Sequence, residues 1–224
     1  MDNRHKLYPS PFTHHPSPSK NMQLKKINTK LQQALIENEL VEANELQQET
    51  FSAIKSGVDA VIQSPKGSGK TTTIILNVIQ RMEKAVGEST RSLVLVEDKE
   101  KVLQTVELFK QYGNYTDLRV FGAHEKGDMD YDKNQISLGC DILVGTPIRI
   151  NEMFASAGFN MNTIKMFVVD DVEEMLRKRL DTTILRLSNS VEKTQRLFFC
   201  STITEKVEVL AEKIMIEPLF FEAE

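Results

Sequence analysis

Ala60-Val61-Ile62-Gln63-Ser64-Pro65-Lys66-Gly67-Ser68-Gly69-Lys70-Thr71 is the stretch that decides the fold. A β-branched apolar run leads into a glycine-rich turn, and behind it Ile74, Ile75, Val78, Ile79 and Met82 recur at helical spacing. Strand, tight turn and helix in that order predict an α/β unit. Glycines let backbone N–H groups close around a phosphate at a helix N-terminus, a lysine adds a mobile positive charge, and a hydroxyl reaches Mg²⁺. On that chemistry Ser64, Pro65, Lys66, Gly67, Ser68, Gly69, Lys70, Thr71 and Thr72 are candidate nucleotide-binding residues. Ser64 stands where the general pattern has glycine, and a plain glycine-rich turn before a helix is the other reading of the same residues.

Outward from this loop, apolar runs at 93–96, 118–121, 142–144, 167–169 and 197–199 alternate with helical segments such as Val102-Val106-Phe109. With residues 61–62 that makes six strands, and near-continuous apolar runs suit strands buried from both sides. The prediction is one mostly parallel central sheet with helices on both faces. Leu219-Phe220-Phe221 after Pro218 predicts a final short strand. Upstream, Leu24, Ile27, Leu31 and Leu35 mark one helix closed by Leu40, and Leu46, Phe51 and Ile54 a second that stops at Gly57. Residues 22–224 read as a single domain. Residues 1–21 carry four of the seven prolines and three of the four histidines with almost nothing apolar, so they cannot offset their ordering entropy. They predict a disordered tail, and Met22 is a candidate natural start.

The formal net charge of −4 gives no overall basic field, so nucleic-acid contact would have to come from a local patch. Cys140 and Cys200 lie far apart without metal-ligand spacing, which suits buried thiols in a reducing, cytoplasmic setting. No stretch has the apolar length to cross a bilayer, and no secretory signal core is seen. No membrane role is expected.

In parallel sheets ligands bind beyond the carboxyl ends of the strands. There the sequence places the phosphate loop, Gly145-Thr146-Pro147, Asp170-Asp171 and Cys200-Ser201-Thr202. An acidic pair suits a Mg²⁺-nucleotide site, one carboxylate holding the metal through water and the other orienting an attacking water. Carboxylates that cap the next helix are the alternative.

In order and spacing these strand ends resemble the first RecA-like domain of DEAD-box RNA helicases, from about Ile27 to the C-terminus. Leu46-Gln47 looks like that family's Q motif, with Gly57-Val58-Asp59 and Gln63 fitting the same template, and residues 64–71 resemble motif I. Gly145-Thr146-Pro147-Ile148-Arg149 is close to the Thr-Pro-Gly-Arg element that contacts the nucleic-acid backbone. Asp170-Asp171-Val172-Glu173-Glu174-Met175-Leu176 occupies the place of Asp-Glu-Ala-Asp, and Cys200-Ser201-Thr202 that of the coupling element Ser-Ala-Thr. The resemblance implies a RecA-like P-loop NTPase fold binding ATP or ADP with Mg²⁺. Gln47 would read adenine, Lys70 hold the β/γ-phosphates, Thr71 and Asp170 hold the metal, and Asp171 orient the attacking water. Thr146 and Arg149 would touch RNA.

The departures point toward weakened catalysis. Asp171 replaces a glutamate and is one methylene shorter, and misplacement by about 1 Å can cost on the order of a hundredfold in rate. Glu173 replaces an aspartate, which puts its contact to the coupling motif in question. The Pro-Thr-Arg-Glu-Leu-Ala element reads Glu97-Asp98-Lys99-Glu100-Lys101-Val102, which puts two acids beside a polyanion. A double glycine has become Gly122-Ala123, the glycine of Thr-Pro-Gly-Arg is Ile148, Ala43-Asn44 stands for Pro-Thr, and Met22 falls where an adenine-stacking aromatic would sit.

A second RecA-like domain with its arginine fingers is not recognisable in the 224 residues, so a protein partner is expected to supply one. The expectation is an ATP-binding helicase-like domain with weak RNA contact, slow or partner-dependent ATP hydrolysis and no stand-alone unwinding. A non-catalytic pseudo-helicase scaffold for RNA-related partners is the alternative. A small-molecule P-loop kinase would need an arginine-rich lid, whereas Arg177 and Arg179, with Lys178, read as a solvated helix face.

Overall fold

A computed structural model of the chain describes residues 26–40 and 42–222. The tail expected over residues 1–21, Met22 and Leu24 lie outside the described residues. The elements run α1 (Thr29–Glu37), α2 (Glu45–Ser56), β1 (Ala60–Gln63), α3 (Lys70–Met82), β2 (Ser92–Leu95), α4 (Lys99–Tyr112), β3 (Val120–Ala123), α5 (Met129–Ser137), β4 (Ile142–Gly145), α6 (Pro147–Ala155), β5 (Met166–Val169), α7 (Val172–Arg177), α8 (Asp181–Asn189), β6 (Gln195–Cys200), α9 (Glu205–Ile214) and β7 (Leu219–Glu222).

The strands form one seven-stranded sheet in the order β3-β4-β2-β5-β6-β1-β7, and every neighbouring pair is parallel. Alternate strand residues feed two cores. Ile62, Val94, Val144, Val168 and Phe199 pack with Leu31, Phe51, Ile75 and Phe109 of α1–α4. Val61, Leu93, Leu143, Phe167 and Phe198 pack with Ile136, Ile150, Met175, Ile184 and Val207 of α5–α9. Burial on both faces is why the strands read as unbroken apolar runs.

Register sets the functional edge. Gln63 lies opposite Cys200, Val169 opposite Phe198 and Leu95, and Gly145 opposite Leu95 and Ala123. The carboxyl ends of all seven strands therefore share one rim, with α3, α4, α6 and α7 starting from it.

Three local expectations shift. β3 begins at Val120, not at residue 118, because the Asp141 carboxylate accepts the Arg119 N–H and the Arg119 carbonyl accepts from Asp141 and Ile142, which fixes where pairing starts. Gly122-Ala123 therefore ends a strand instead of following it, and a Cβ at Gly122 would sit 2.8 Å from Val102 Cγ1 and 2.9 Å from Val106 Cγ2. That glycine serves the packing of α4 on β3. Finally, α7 ends at Arg177, so Arg179 lies past the helix; Arg177 and Lys178 are nonetheless exposed and pair with Glu174 and Glu97.

Candidate functional site

The loop between β1 and α3 is built by its glycines. Gly67 and Gly69 take φ of +85° and +92°, the left-handed region open to glycine at no steric cost, and this lets the chain turn straight into α3. Ser68 N–H donates to the Pro65 carbonyl at 3.2 Å and Ser64 Oγ meets Ser68 Oγ at 2.5 Å, closing the turn on itself. Pro65, Lys66 and Gly67 are exposed at its tip, Thr72 is half-buried in the first turn of α3, and Ser64 is buried. Lys70 Nζ, 7% exposed, donates to the Ser64 carbonyl at 2.9 Å, the Pro65 carbonyl at 3.2 Å and Ser201 Oγ at 3.1 Å.

β5 lies two strands from β1, and its end delivers the acidic pair to the same place. Thr71 Oγ1 donates to Asp170 Oδ2 at 3.1 Å, joining the hydroxyl after the glycine-rich loop to the carboxylate expected to share a metal with it. Asp170 is 2% exposed, and its Oδ1 is buried without a hydrogen-bond partner among the described residues. Burial first, then the Asp171 charge, push its carboxyl up to about 6, against the pull of Lys101, Thr71 and Lys70. Asp171 adopts φ 50°, ψ 49°, a left-handed conformation that aspartate tolerates better than most residues, and lies 3.8 Å from Lys70 Nζ.

Among the described residues no group of three or more His, Cys, Asp or Glu could hold a metal. An unpartnered buried carboxylate oxygen beside a hydroxyl fits Mg²⁺ instead, which is held by one or two carboxylates together with nucleotide phosphates and retained waters.

Asn44 and Gln47 form a capping box at the start of α2, Asn44 Oδ1 accepting the Gln47 N–H at 2.9 Å and Gln47 Oε1 the Asn44 N–H at 3.1 Å. Asn44 Nδ2 then reaches the Ser68 carbonyl at 2.8 Å, so the cap grips the glycine-rich loop. Gln47 is 5% exposed, with its Nε2 on the Gly69 side. At the end of β6, Cys200 is fully buried and burial raises its thiol to about 12, which makes it an inert wall. Ser201 faces Lys70, and Thr202 is exposed. Glu173 Oε1 accepts the Ser201 N–H at 2.8 Å, so the contact that the glutamate put in question is made.

Thr146 caps α6 and Arg149 sits in its first turn, 2% and 4% exposed. The guanidinium donates to Asp132 Oδ2 at 2.9 Å and to the Gly127 carbonyl at 2.8 Å, so it is turned inward; Ile148 is 44% exposed beside it.

Sequence reasoning passed over Lys101, whose ammonium lies 3.6 Å from Asp170 Oδ2 and 3.8 Å from Asp171 Oδ2. Its one sequence signal is a first-turn position on the helix after β2, the strand that pairs with β5. No described helix is long and apolar enough to cross a membrane.

The sequence model of the DEAD/DEAH box helicases matches residues 44–210. Similar curated proteins include the ATP-dependent RNA helicase eIF4A of Lodderomyces elongisporus, 29% identical over 175 residues, covering 78% of this chain and 44% of that protein. The eIF4A of Eremothecium gossypii is 27% identical over 180 residues, covering 80% and 45%. The chain thus spans about half the length of the curated relatives it matches. Among solved structures, the yeast DEAD-box splicing factor Prp28 superposes with a TM-score of 0.82 at 20% identity, covering 92% of this chain and 53% of that one. A DEAD box protein from the hyperthermophile Methanococcus jannaschii gives 0.85 at 20% identity, covering 91% and 56%.

Proposed function

The chain belongs to the DEAD/DEAH box helicase family, and from that premise we propose that it binds ATP or ADP with Mg²⁺ at residues 64–72, contacts RNA weakly and hydrolyses ATP slowly unless a partner completes the site. The observation that carries the reading is the Thr71 Oγ1 to Asp170 Oδ2 contact of 3.1 Å, which supports a shared metal site across two strands. Backbone N–H groups of the loop and the start of α3 would hold the phosphates, with Lys70 exchanging its carbonyl partners for phosphate oxygens. Gln47 would meet the adenine edge. Mg²⁺ would supply charge neutralisation on the phosphates while Thr71 and Asp170 hold it. Asp171 would orient the attacking water from the end of β5.

Slow turnover follows from what faces that water. The cations beside the acidic pair are lysines, Lys70 and Lys101, and a transferred phosphoryl group gains most from a rigid arginine fork. A second RecA-like domain would provide one, and its arrival is worth about 10³ to 10⁵ in rate. Weak RNA contact follows from Glu97 and Asp98 on the rim and from the inward-turned Arg149, which would hold the Thr146 segment in place instead of offering a free charge. Unwinding would then need a second domain. A second reading, a nucleotide-bound scaffold for RNA-related partners without turnover, is favoured by the short acid at Asp171.

Titration of fluorescent ADP against wild type and Lys70→Ala tests the first clause; equal binding by both, or none by wild type, overturns it. ATP turnover with and without RNA separates motor from scaffold, with Lys70→Ala as the blank.

A further inference from the structure

The acidic pair carries its own counter-cation. Lys101 projects from the first turn of α4, where Asp98 Oδ1 accepts its backbone N–H at 2.9 Å and so fixes the start of the helix over the end of β5. Its ammonium lies 3.6 Å from Asp170 Oδ2, the oxygen that also accepts from Thr71, and 3.8 Å from Asp171 Oδ2. Asp171 Oδ1 lies 3.8 Å from Lys70. Four charges therefore alternate around the nucleotide end of the sheet, two lysines against two aspartates. Lys101 stands at the leucine position of the Pro-Thr-Arg-Glu-Leu-Ala element that residues 97–102 resemble.

A fixed ammonium on the carboxylate oxygen nearest Thr71 opposes a divalent cation twice over, by like-charge repulsion and by occupying part of its approach. Mg²⁺ demands near-ideal octahedral geometry and gives up water reluctantly, so an ammonium already beside Asp170 adds to the cost of seating it there.

We propose that Lys101 is a tethered cation that does part of the metal's work at Asp170 and Asp171, so that nucleotide binding by this chain depends only weakly on Mg²⁺. The proposal rests on nucleotide binding at the phosphate loop.

The test compares wild type with Lys101→Leu and Lys101→Gln in two measurements. In the first, fluorescent ADP is titrated in EDTA and in excess Mg²⁺. Wild-type affinity should change by less than about threefold, and both variants should lose at least about tenfold in EDTA relative to Mg²⁺. An equal loss of about tenfold in wild type overturns the proposal. In the second, Mn²⁺ is titrated into nucleotide-free protein and followed by electron paramagnetic resonance. Both variants should bind Mn²⁺ more tightly than wild type, and equal or undetectable binding by all three proteins overturns the proposal. Absence of any ADP binding would remove the nucleotide-site reading itself, and the Mn²⁺ comparison would still decide the role of Lys101.

Discussion

Glu173 Oε1 accepts the backbone N–H of Ser201 at 2.8 Å, tying the segment after β5 to the end of β6. The same serine receives Lys70 Nζ on its hydroxyl at 3.1 Å, so the glycine-rich loop, the acidic segment and the segment after β6 meet on one residue. The family aspartate at this position is one methylene shorter; the glutamate makes the reach.

Glu173 is 3% exposed, and its removal takes the acceptor from the half-buried Ser201 N–H. Glu173→Ala should destabilise the protein by about 1–3 kcal/mol, and Glu173→Gln, which keeps an acceptor, by less. Urea unfolding of the three proteins measures this. Equal midpoints for Ala and Gln would show that the hydrogen bond contributes nothing.

Arg149 and Asp132 form a buried pair at 2.8 Å with side chains 5% and 6% exposed. Removing one partner strands the other charge in the core, so Arg149→Met or Asp132→Leu should each cost about 3–5 kcal/mol. The double variant Arg149→Met with Asp132→Leu should recover part of that loss, because an apolar pair can replace a buried ion pair at little cost. Strict additivity in denaturant unfolding would contradict the pairing.

Asp141 is fully buried between Arg91 Nη2 at 2.7 Å and Arg119 Nε at 2.8 Å. Burial raises its carboxyl, but Arg119, Arg91 and the backbone N–H groups of Arg119 and Val86 outweigh that and hold it below the usual carboxylate value. A carboxyl depressed in the folded state stabilises above its unfolded pKa, and that stability drains away as pH falls through the folded value. Asp141→Asn should therefore cost roughly 3 kcal/mol at neutral pH, and the gap to wild type should narrow below about pH 4. A gap that stays constant down to acid unfolding would rule the ionised form out as its source.

The parallel strands and the rim they share were legible because strands buried on both faces write themselves as apolar runs, with the candidate residues following them; their order across the sheet was not. What stayed hidden depends on contacts between residues far apart in the chain. The Asp141 carboxylate sets the start of β3 from 22 positions away, and no local pattern encodes that. Lys101 sits among acids in sequence, so charge counting along residues 97–102 read the segment as repulsive; only the β2–β5 pairing brings its ammonium to Asp170. Arg149 matched an RNA-contacting pattern, and its inward turn is set by Asp132 on α5.

Asp171 carries the last prediction. Its left-handed backbone, φ 50°, is tolerated by aspartate, and its carboxylate spans the gap between Lys70 and Lys101. Glutamate lacks the short side chain that eases this conformation, so Asp171→Glu should lower stability by roughly 0.5–1 kcal/mol. On the proposed role of Asp171 the added methylene would bring the carboxylate closer to an attacking water, so turnover should rise by about tenfold or more while ADP affinity stays near wild type. Asp171→Gly separates the two effects: glycine relieves the backbone, which should raise the unfolding midpoint, and removes the acid, which should abolish turnover. Single-turnover ATP hydrolysis and thermal unfolding on the three proteins give both readouts. If Asp171→Glu binds ADP like wild type yet hydrolyses ATP no faster, the length of this acid is not what limits the reaction, and the scaffold reading gains the advantage.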